Sequence, residues 1–167
     1  MIQLSLLKSD HMADVLRIQD YCYTEIEPES FESLQAKILA SPNTCLIAES
    51  SEGGTGYLIA VPIVYPSLPA LNAPTFELSA DADTLYIHDL AVDSAGRGKG
   101  VAQALVRASM NTAKRSGLSR ACLVAIQNSQ RFWEQFGFET VAEPADDLRA
   151  KLASYGADAQ LMRAWLK

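Results

Sequence analysis

Residues 84–102 run Thr-Leu-Tyr-Ile-His-Asp-Leu-Ala-Val-Asp-Ser-Ala-Gly-Arg-Gly-Lys-Gly-Val-Ala, and the rest of the chain is organised around them. Leu85 to Val92 is apolar and β-branched apart from His88 and Asp89, the pattern of a mostly buried strand. A turn follows. Gly96, Gly98 and Gly100 alternate with Arg97 and Lys99, so the backbone can fold tightly and present several N–H groups with no Cβ in front of them. Beyond it Val101, Ala104, Leu105, Ala108 and Thr112 recur at helical spacing. Backbone N–H groups, the positive end of a helix dipole and two cations thus converge on one spot, which suits a phosphate or pyrophosphate.

A triphosphate-binding loop needs Gly-Lys followed by Ser or Thr to hold magnesium, whereas Lys99 precedes Gly100 and Val101. The dinucleotide fingerprint G-x-G-x-x-G would begin at Gly96 and require glycine where Val101 stands. Arg-x-x-Gly-x-Ala at residues 97 to 102, after a strand ending Leu90-Ala91-Val92, does fit a motif. On these residues the sequence resembles the GNAT superfamily of acetyl-CoA-dependent N-acetyltransferases. A strand at residues 121–126 and the run Arg131-Phe132-Trp133-Glu134-Gln135-Phe136-Gly137-Phe138, similar to that family's Phe-Tyr-x-x-x-Gly-Phe signature, extend the likeness. It is close over residues 84–141 and loose elsewhere.

The resemblance implies an α/β fold, with a mixed central sheet of about six or seven strands flanked by helices and splayed at the central parallel pair. It implies one domain over residues 1–167 and acetyl-CoA as co-substrate, with no metal. The backbone N–H groups of Arg97, Gly98, Lys99, Gly100, Val101 and Ala102 would hold the pyrophosphate, and the Leu90-Ala91-Val92 main chain would pair with pantetheine like an added strand. Asn128 is carried over as a cofactor residue, although the family's asparagine belongs two residues earlier, at Ile126. Trp133 replaces a tyrosine whose phenol protonates the departing thiolate in many members; an indole N–H cannot do so, yet the ring can pack on the pantetheine arm or in the core. Tyr86, Tyr57 and Tyr155 are the candidates for that acid, unless the thiolate leaves unaided.

Acetyl transfer to an ammonium group needs a base, and His88 stands near the end of the central strand. An imidazole's free-solution pKa of about 6.5 suits that task. The run from His88 to Val92 is similar to arylalkylamine N-acetyltransferases, which place two histidines two residues apart. Tyr86 occupies the earlier position, so Tyr86 or water is expected to hand the proton to His88. The period-2 rule sends Asp89 to the opposite face, in a structural hydrogen bond. For the acceptor, Tyr21, Tyr23, Glu25, Glu27, Glu29 and Phe31 alternate rings with carboxylates. Tyr23, Glu25, Glu27 and Phe31 are the expected contacts for a cation with an apolar body.

Bulk properties agree with one domain. A chain of 167 residues, 49% hydrophobic, can bury a sizeable core. Its net charge of -6 and pI near 4.9 argue against nucleic acid as a partner and favour a cationic or neutral acceptor. Cys22, Cys45 and Cys122 lie in apolar surroundings and read as reduced core thiols. Neither a signal peptide nor a membrane span is legible, so the expected place is the cytoplasm, with no membrane partner. A homodimer is compatible with the sequence. The function expected is transfer of acetyl from acetyl-CoA to a primary amine of a small molecule. The alternatives are a protein or peptide N-acetyltransferase, a catalytically weak acetyl-CoA sensor, or another acyl transfer such as thioester hydrolysis.

Along the chain, residues 2–7 read as a strand, and Ser9 or Asp10 then caps a helix with Met12, Val15, Leu16 and Cys22 on its buried stripe. His11 reads as solvated. After a bend at 24–29, Ser30 starts a second helix carrying Phe31, Leu34 and Ile38, stopped by Ser41-Pro42. Strands at 44–49 and 56–65 flank a turn, with Pro62 pointing to a bulge or an edge. Residues 66–83, with prolines at 66, 69 and 74, read as a long loop and a candidate lid over the acceptor. A strand at 138–141, a helix at 145–155 and a strand at 159–166 complete an α/β order.

Overall fold

The computed structural model describes residues 1–24 and 28–166. Seven strands form one open sheet in the order β1-β2-β3-β4-β5-β7-β6, namely β1 Gln3–Leu6, β2 Leu46–Ser50, β3 Gly53–Ile63, β4 Thr84–Val92, β5 Arg120–Ala125, β6 Glu139–Thr140 and β7 Gln160–Trp165. Every neighbouring pair is antiparallel except β4 and β5. The helices are α1 Met12–Cys22, α2 Phe31–Ala40, α3 Val101–Arg115, α4 Gln130–Glu134 and α5 Asp146–Ala153.

Alternation along the strands builds three hydrophobic clusters. Leu58, Ala60, Leu85 and Ile87 pack with Val101 and Leu105 of α3 and with Trp133 of α4. On the other face Tyr57, Ile59 and Ala91 meet Val15 and Ile18 of α1 and Leu34 and Ile38 of α2. Val61, Ile63, Tyr86 and Cys122 join Leu148 and Leu152 of α5. The result is a sheet between two helical layers.

Most elements lie where the sequence places them. Ser30 caps α2, its Oγ accepting the Ser33 N–H at 3.2 Å. Of the two features expected at Pro62 the edge is found: β2 pairs with β3 only as far as Leu58, so Pro62 has no ladder on that side, while the register shift lies at Ile59/Ala60 and Pro62 itself pairs regularly with Leu85. Two expectations need correction. A 3-10 turn at Ser9–His11 precedes α1, and His11 is not simply solvated, since its Nδ1 accepts the Lys8 N–H at 2.9 Å and ties off that turn. Cys45 and Cys122 are buried free thiols, raised by burial to about 11 and about 12, whereas Cys22 is only half-buried and lies at a cavity wall.

Candidate active site

The parallel pairing of β4 with β5 ends at Ile87 opposite Leu123, while β4 continues to Val92 and β5 to Ala125. The two strands therefore splay and open a slot. Asp93 donates its N–H to the Thr55 carbonyl at 2.8 Å, so the odd-numbered main-chain groups here face β3. Those of Leu90 and Val92 consequently face the gap. Both carbonyls already hold side-chain donors: Tyr23 Oη on Leu90 at 3.0 Å, and Arg97 Nε on Val92 at 3.1 Å.

At the outer end of the slot lies a cleft of about 350 Å³ whose walls include Leu90, Ala91, Val92, Arg97, Gly98 and Gly100. Val101 and Ala102 of α3 reach it as well, and Gly100 is the residue before that helix. The glycines differ in what they do. A Cβ on Gly96 would sit 2.8 Å from Val92 Cγ1 and 3.1 Å from the Thr55 carbonyl, so Gly96 is a packing residue. Gly98 and Gly100 have φ of +75° and +74°, and a Cβ added to either would meet nothing within 4 Å, so the turn needs them and the space in front of them is free. A pyrophosphate beneath a helix N-terminus fits this cradle. Lys99 does not line the cleft, and its charge stands outside the wall.

At the inner end a cavity of about 230 Å³ fills the slot between Leu90, Val124, Ile126, Phe132 and Trp133. Beyond it a chamber of about 200 Å³ is lined by Gln19, Tyr23, Glu29, Asn72, His88 and Tyr155, among others. His88 and Asp89 line both. Asp89 makes the structural hydrogen bonds expected of it, but the face that period 2 gives it is wrong because His88 is a bulge: Ile87 pairs with Ala60 and Asp89 with Ile59, leaving His88 without a partner on β3. Odd-numbered side chains change faces across it, Ile87 packing with α3 and Ala91 with α1 and α2. Asp89 thus turns to the α1 side, where Tyr23 Oη donates to it at 2.8 Å and Tyr57 Oη at 2.7 Å. Burial pushes its carboxyl pKa up, against the opposing pull of His88 and the two phenols.

His88 is held by a carboxylate. Its Nε2 lies 2.5 Å from Glu29 Oε1, with only 2% of the side chain exposed. Glu29 Oε2 accepts from Lys37 Nζ at 2.9 Å and from Ser33 Oγ at 2.5 Å. Burial alone would raise the Glu29 carboxyl, but His88, Lys37 and Ser33 outweigh it and hold the carboxyl at about 2. Gln19 grips the Glu29 main chain from both sides, its Nε2 donating to the carbonyl at 3.2 Å and its Oε1 accepting the N–H at 3.0 Å.

The other expected residues divide. Tyr23 lines all three cavities. Phe31 is 39% exposed and lines none, so it is not brought to the chamber. Glu25 and Glu27 lie outside the described residues. Tyr86 is buried, its hydroxyl 3.2 Å from that of Tyr155, so the expected handover from Tyr86 to His88 has no hydrogen bond to run along among the described residues. Their rings are 5.7 Å apart. Of the three candidate acids only Tyr155 lines the chamber, since Tyr57 is committed to Asp89. Gln127 rather than Asn128 lies at the walls of cleft and slot, the two residues having consecutive positive φ of 54° and 58°. Trp133 packs edge-on against Phe132 and Phe138, as the core reading expects, and one side of it lines the slot.

Sequence reasoning passed over Gln19, Ser33, Lys37 and Asn72. Lys37 carried a signal: it follows Leu34 by three residues on the buried stripe of α2, and a cation there requires an anion beside it.

A glycine cradle before a helix, a splayed parallel pair and a polar chamber at the slot's inner end define a CoA-dependent acyl-transfer fold. The family model for the acetyltransferase (GNAT) family matches residues 12–138. The chain belongs to this family, and it is accordingly an acyltransferase that moves acetyl groups. A search of curated proteins finds no match. Among solved structures, the chain is similar to the loading GNATL domain of CurA from Lyngbya majuscula, with TM-score 0.82, 13% identity, and 99% of this chain and 98% of that one covered. It is also similar to the ribosomal-protein-S18-alanine N-acetyltransferase from Escherichia coli, with TM-score 0.69, 15% identity and coverages of 100% and 95%. N-acetylglutamate synthase from Neisseria gonorrhoeae, in complex with coenzyme A and N-acetyl-glutamate, matches at TM-score 0.70 and 19% identity, covering 100% of this chain and 35% of that one. At such identities the likeness is one of fold.

Proposed function

We propose that this acetyltransferase transfers acetyl from acetyl-CoA to the primary amine of a small molecule, with His88 as the base. The observation that carries the reading is the chamber. At about 200 Å³ it is bounded by the end of α1, the loop after β3 and the residues following α5, and it places His88, Glu29, Asp89, Tyr23 and Tyr155 together. A small space lined by the rings of Tyr23, Tyr155 and His88, with the Glu29 carboxylate behind the imidazole, suits an ammonium on an apolar body. The loop is tied across it, Asn72 Oδ1 accepting the Ser30 N–H at 2.8 Å and Tyr155 Oη donating to the Pro69 carbonyl at 3.2 Å. That closure favours a compact acceptor over an extended peptide.

In this reading the N–H groups of Gly98 to Ala102 and the α3 dipole hold the pyrophosphate, the Leu90 and Val92 main chain aligns the pantetheine, and Gln127 and Trp133 flank it. Acetyl-CoA supplies an acyl carbon that accepts the amine and a thiolate that departs with the electron pair of the C–S bond. His88 takes the acceptor's ammonium proton, which frees the lone pair for C–N bond formation.

The test is release of free thiol from acetyl-CoA across a panel of amines, amino acids and peptides. A small cationic amine should give turnover that falls about 10²-fold or more in His88→Ala. Turnover with peptides alone would move the acceptor to a protein N-terminus, and acetyl-CoA binding without acetylation of any amine would favour the sensor. Undiminished transfer in His88→Ala would remove the base assignment.

A further inference from the structure

Behind His88, away from the cofactor cleft, Glu29, Ser33 and Lys37 form a buried polar cluster that packing alone does not require. We propose that this cluster fixes the His88 ring as the Nε2–H tautomer, so that the atom offered to the acceptor's ammonium is Nδ1, with Glu29 as the positioning residue. The inference rests on the reading of His88 as base and deepens it.

An ionised carboxylate only accepts hydrogen bonds, so the hydrogen between Glu29 Oε1 and His88 Nε2 belongs to the ring. Glu29 is kept in that state by its other oxygen, which takes Lys37 Nζ at 2.9 Å and Ser33 Oγ at 2.5 Å. Lys37 is fully buried and spends its remaining protons on Ser33, at 3.0 Å to Oγ and 3.3 Å to the carbonyl, so the carboxylate that balances its charge is Glu29. Gln19 fixes the main chain of the same glutamate.

Among the described residues, the remaining neighbours make no hydrogen bond to the ring. Tyr86 lies alongside it with its hydroxyl on Tyr155, and both oxygens of Asp89 are occupied by Tyr23 and Tyr57. His88 Nδ1 is buried and has no partner among the described residues. A neutral imidazole bearing its hydrogen on Nε2 has its lone pair on Nδ1, and an unpaired acceptor on a residue that lines the chamber calls for a donor from the ligand. The proton then moves from the acceptor's nitrogen to Nδ1, while the Nε2 hydrogen stays on Nε2. The resulting imidazolium faces the Glu29 carboxylate, which stabilises the charge where it forms.

The test reads the ring directly in the uniformly 15N-labelled full-length chain without ligand, by two-bond 1H–15N correlations of His88. The wild type should show a neutral Nε2–H ring at the pH of turnover. Glu29→Gln, whose amide can also present an N–H to the ring, should lose that preference. Its kcat should fall at least about tenfold, because a ring in the wrong tautomer has no lone pair to offer, while coenzyme A affinity holds. An Nδ1–H ring in the wild type, a ring protonated on both nitrogens at the pH of turnover, or an unchanged ring spectrum in Glu29→Gln would each overturn the proposal. Should Glu29→Gln not fold, the wild-type spectrum still decides the tautomer. Failure of the base reading is seen separately, as full activity in His88→Ala.

Discussion

Glu29 and Asp89 are two buried carboxylates on either side of one histidine, and their environments drive them in opposite directions. Glu29 sits below the usual 4.5, at about 2, because burial is outweighed by His88, Lys37 and Ser33. A group lowered on folding gives stability that is full above its unfolded value and lost as pH falls through the folded one. Urea unfolding at a series of pH values should therefore show stability draining between about pH 4.5 and pH 2. Asp89, raised by burial, works the other way and blunts the wild-type slope, so the difference between wild type and Glu29→Gln is the informative quantity. Equal slopes in the two proteins would mean that Glu29 is not held ionised by its partners. At this scale the sequence was only partly legible. His88 and Tyr23 could be chosen by chemistry, but the Asp89 position depends on a bulge, which leaves no mark in composition or period. Lys37 was legible in principle, as a cation on an apolar stripe.

Among the elements, the strand, turn and helix from Thr84 to Arg115 were readable because each is written locally: period-2 apolarity, alternating glycines, then helical spacing. Local reading did not separate the three glycines, which the packing around them does. Gly96→Ala drives a Cβ into Val92 and the Thr55 carbonyl and should cost about 1–3 kcal/mol in chemical denaturation, as overpacking does. Gly98→Ala meets no neighbour but holds alanine at φ +75°, a strain of about 1–3 kcal/mol. Titration calorimetry should distinguish them further. Gly98→Ala places a methyl in the free space of the cradle and should weaken coenzyme A binding more than Gly96→Ala, whose methyl is directed into Val92 and Thr55. Equal affinities would place the pyrophosphate elsewhere.

For the whole molecule, the decisive contacts join segments far apart in the chain. The loop after β3 was read as a long connection, and it is one, yet its conformation is set from the C-terminal side. Lys151 Nζ donates to the Leu68 carbonyl at 2.6 Å, and Tyr155 bridges Tyr86 and Pro69. No pattern within residues 66–83 could show partners more than 80 residues away. The double variant Lys151→Ala/Tyr155→Phe should speed amide exchange over residues 67–73 and raise the acceptor KM with coenzyme A binding unchanged, as measured by hydrogen-exchange mass spectrometry and steady-state kinetics. Unaltered exchange would mean that the loop holds itself. None of the helices among the described residues is long and apolar enough to cross a membrane.

The bulge at His88 also means that the central strand is written in two reading frames. From Thr84 to Ile87 one parity faces α3, and from Asp89 onward the other parity does, with a single residue as the frameshift between them. Removing that one residue would not scramble the strand but would bring both halves into a common frame, every other side chain keeping its present face and the ladder to β3 becoming regular. The sheet is thus one residue longer than its own architecture demands, and the surplus residue is the histidine.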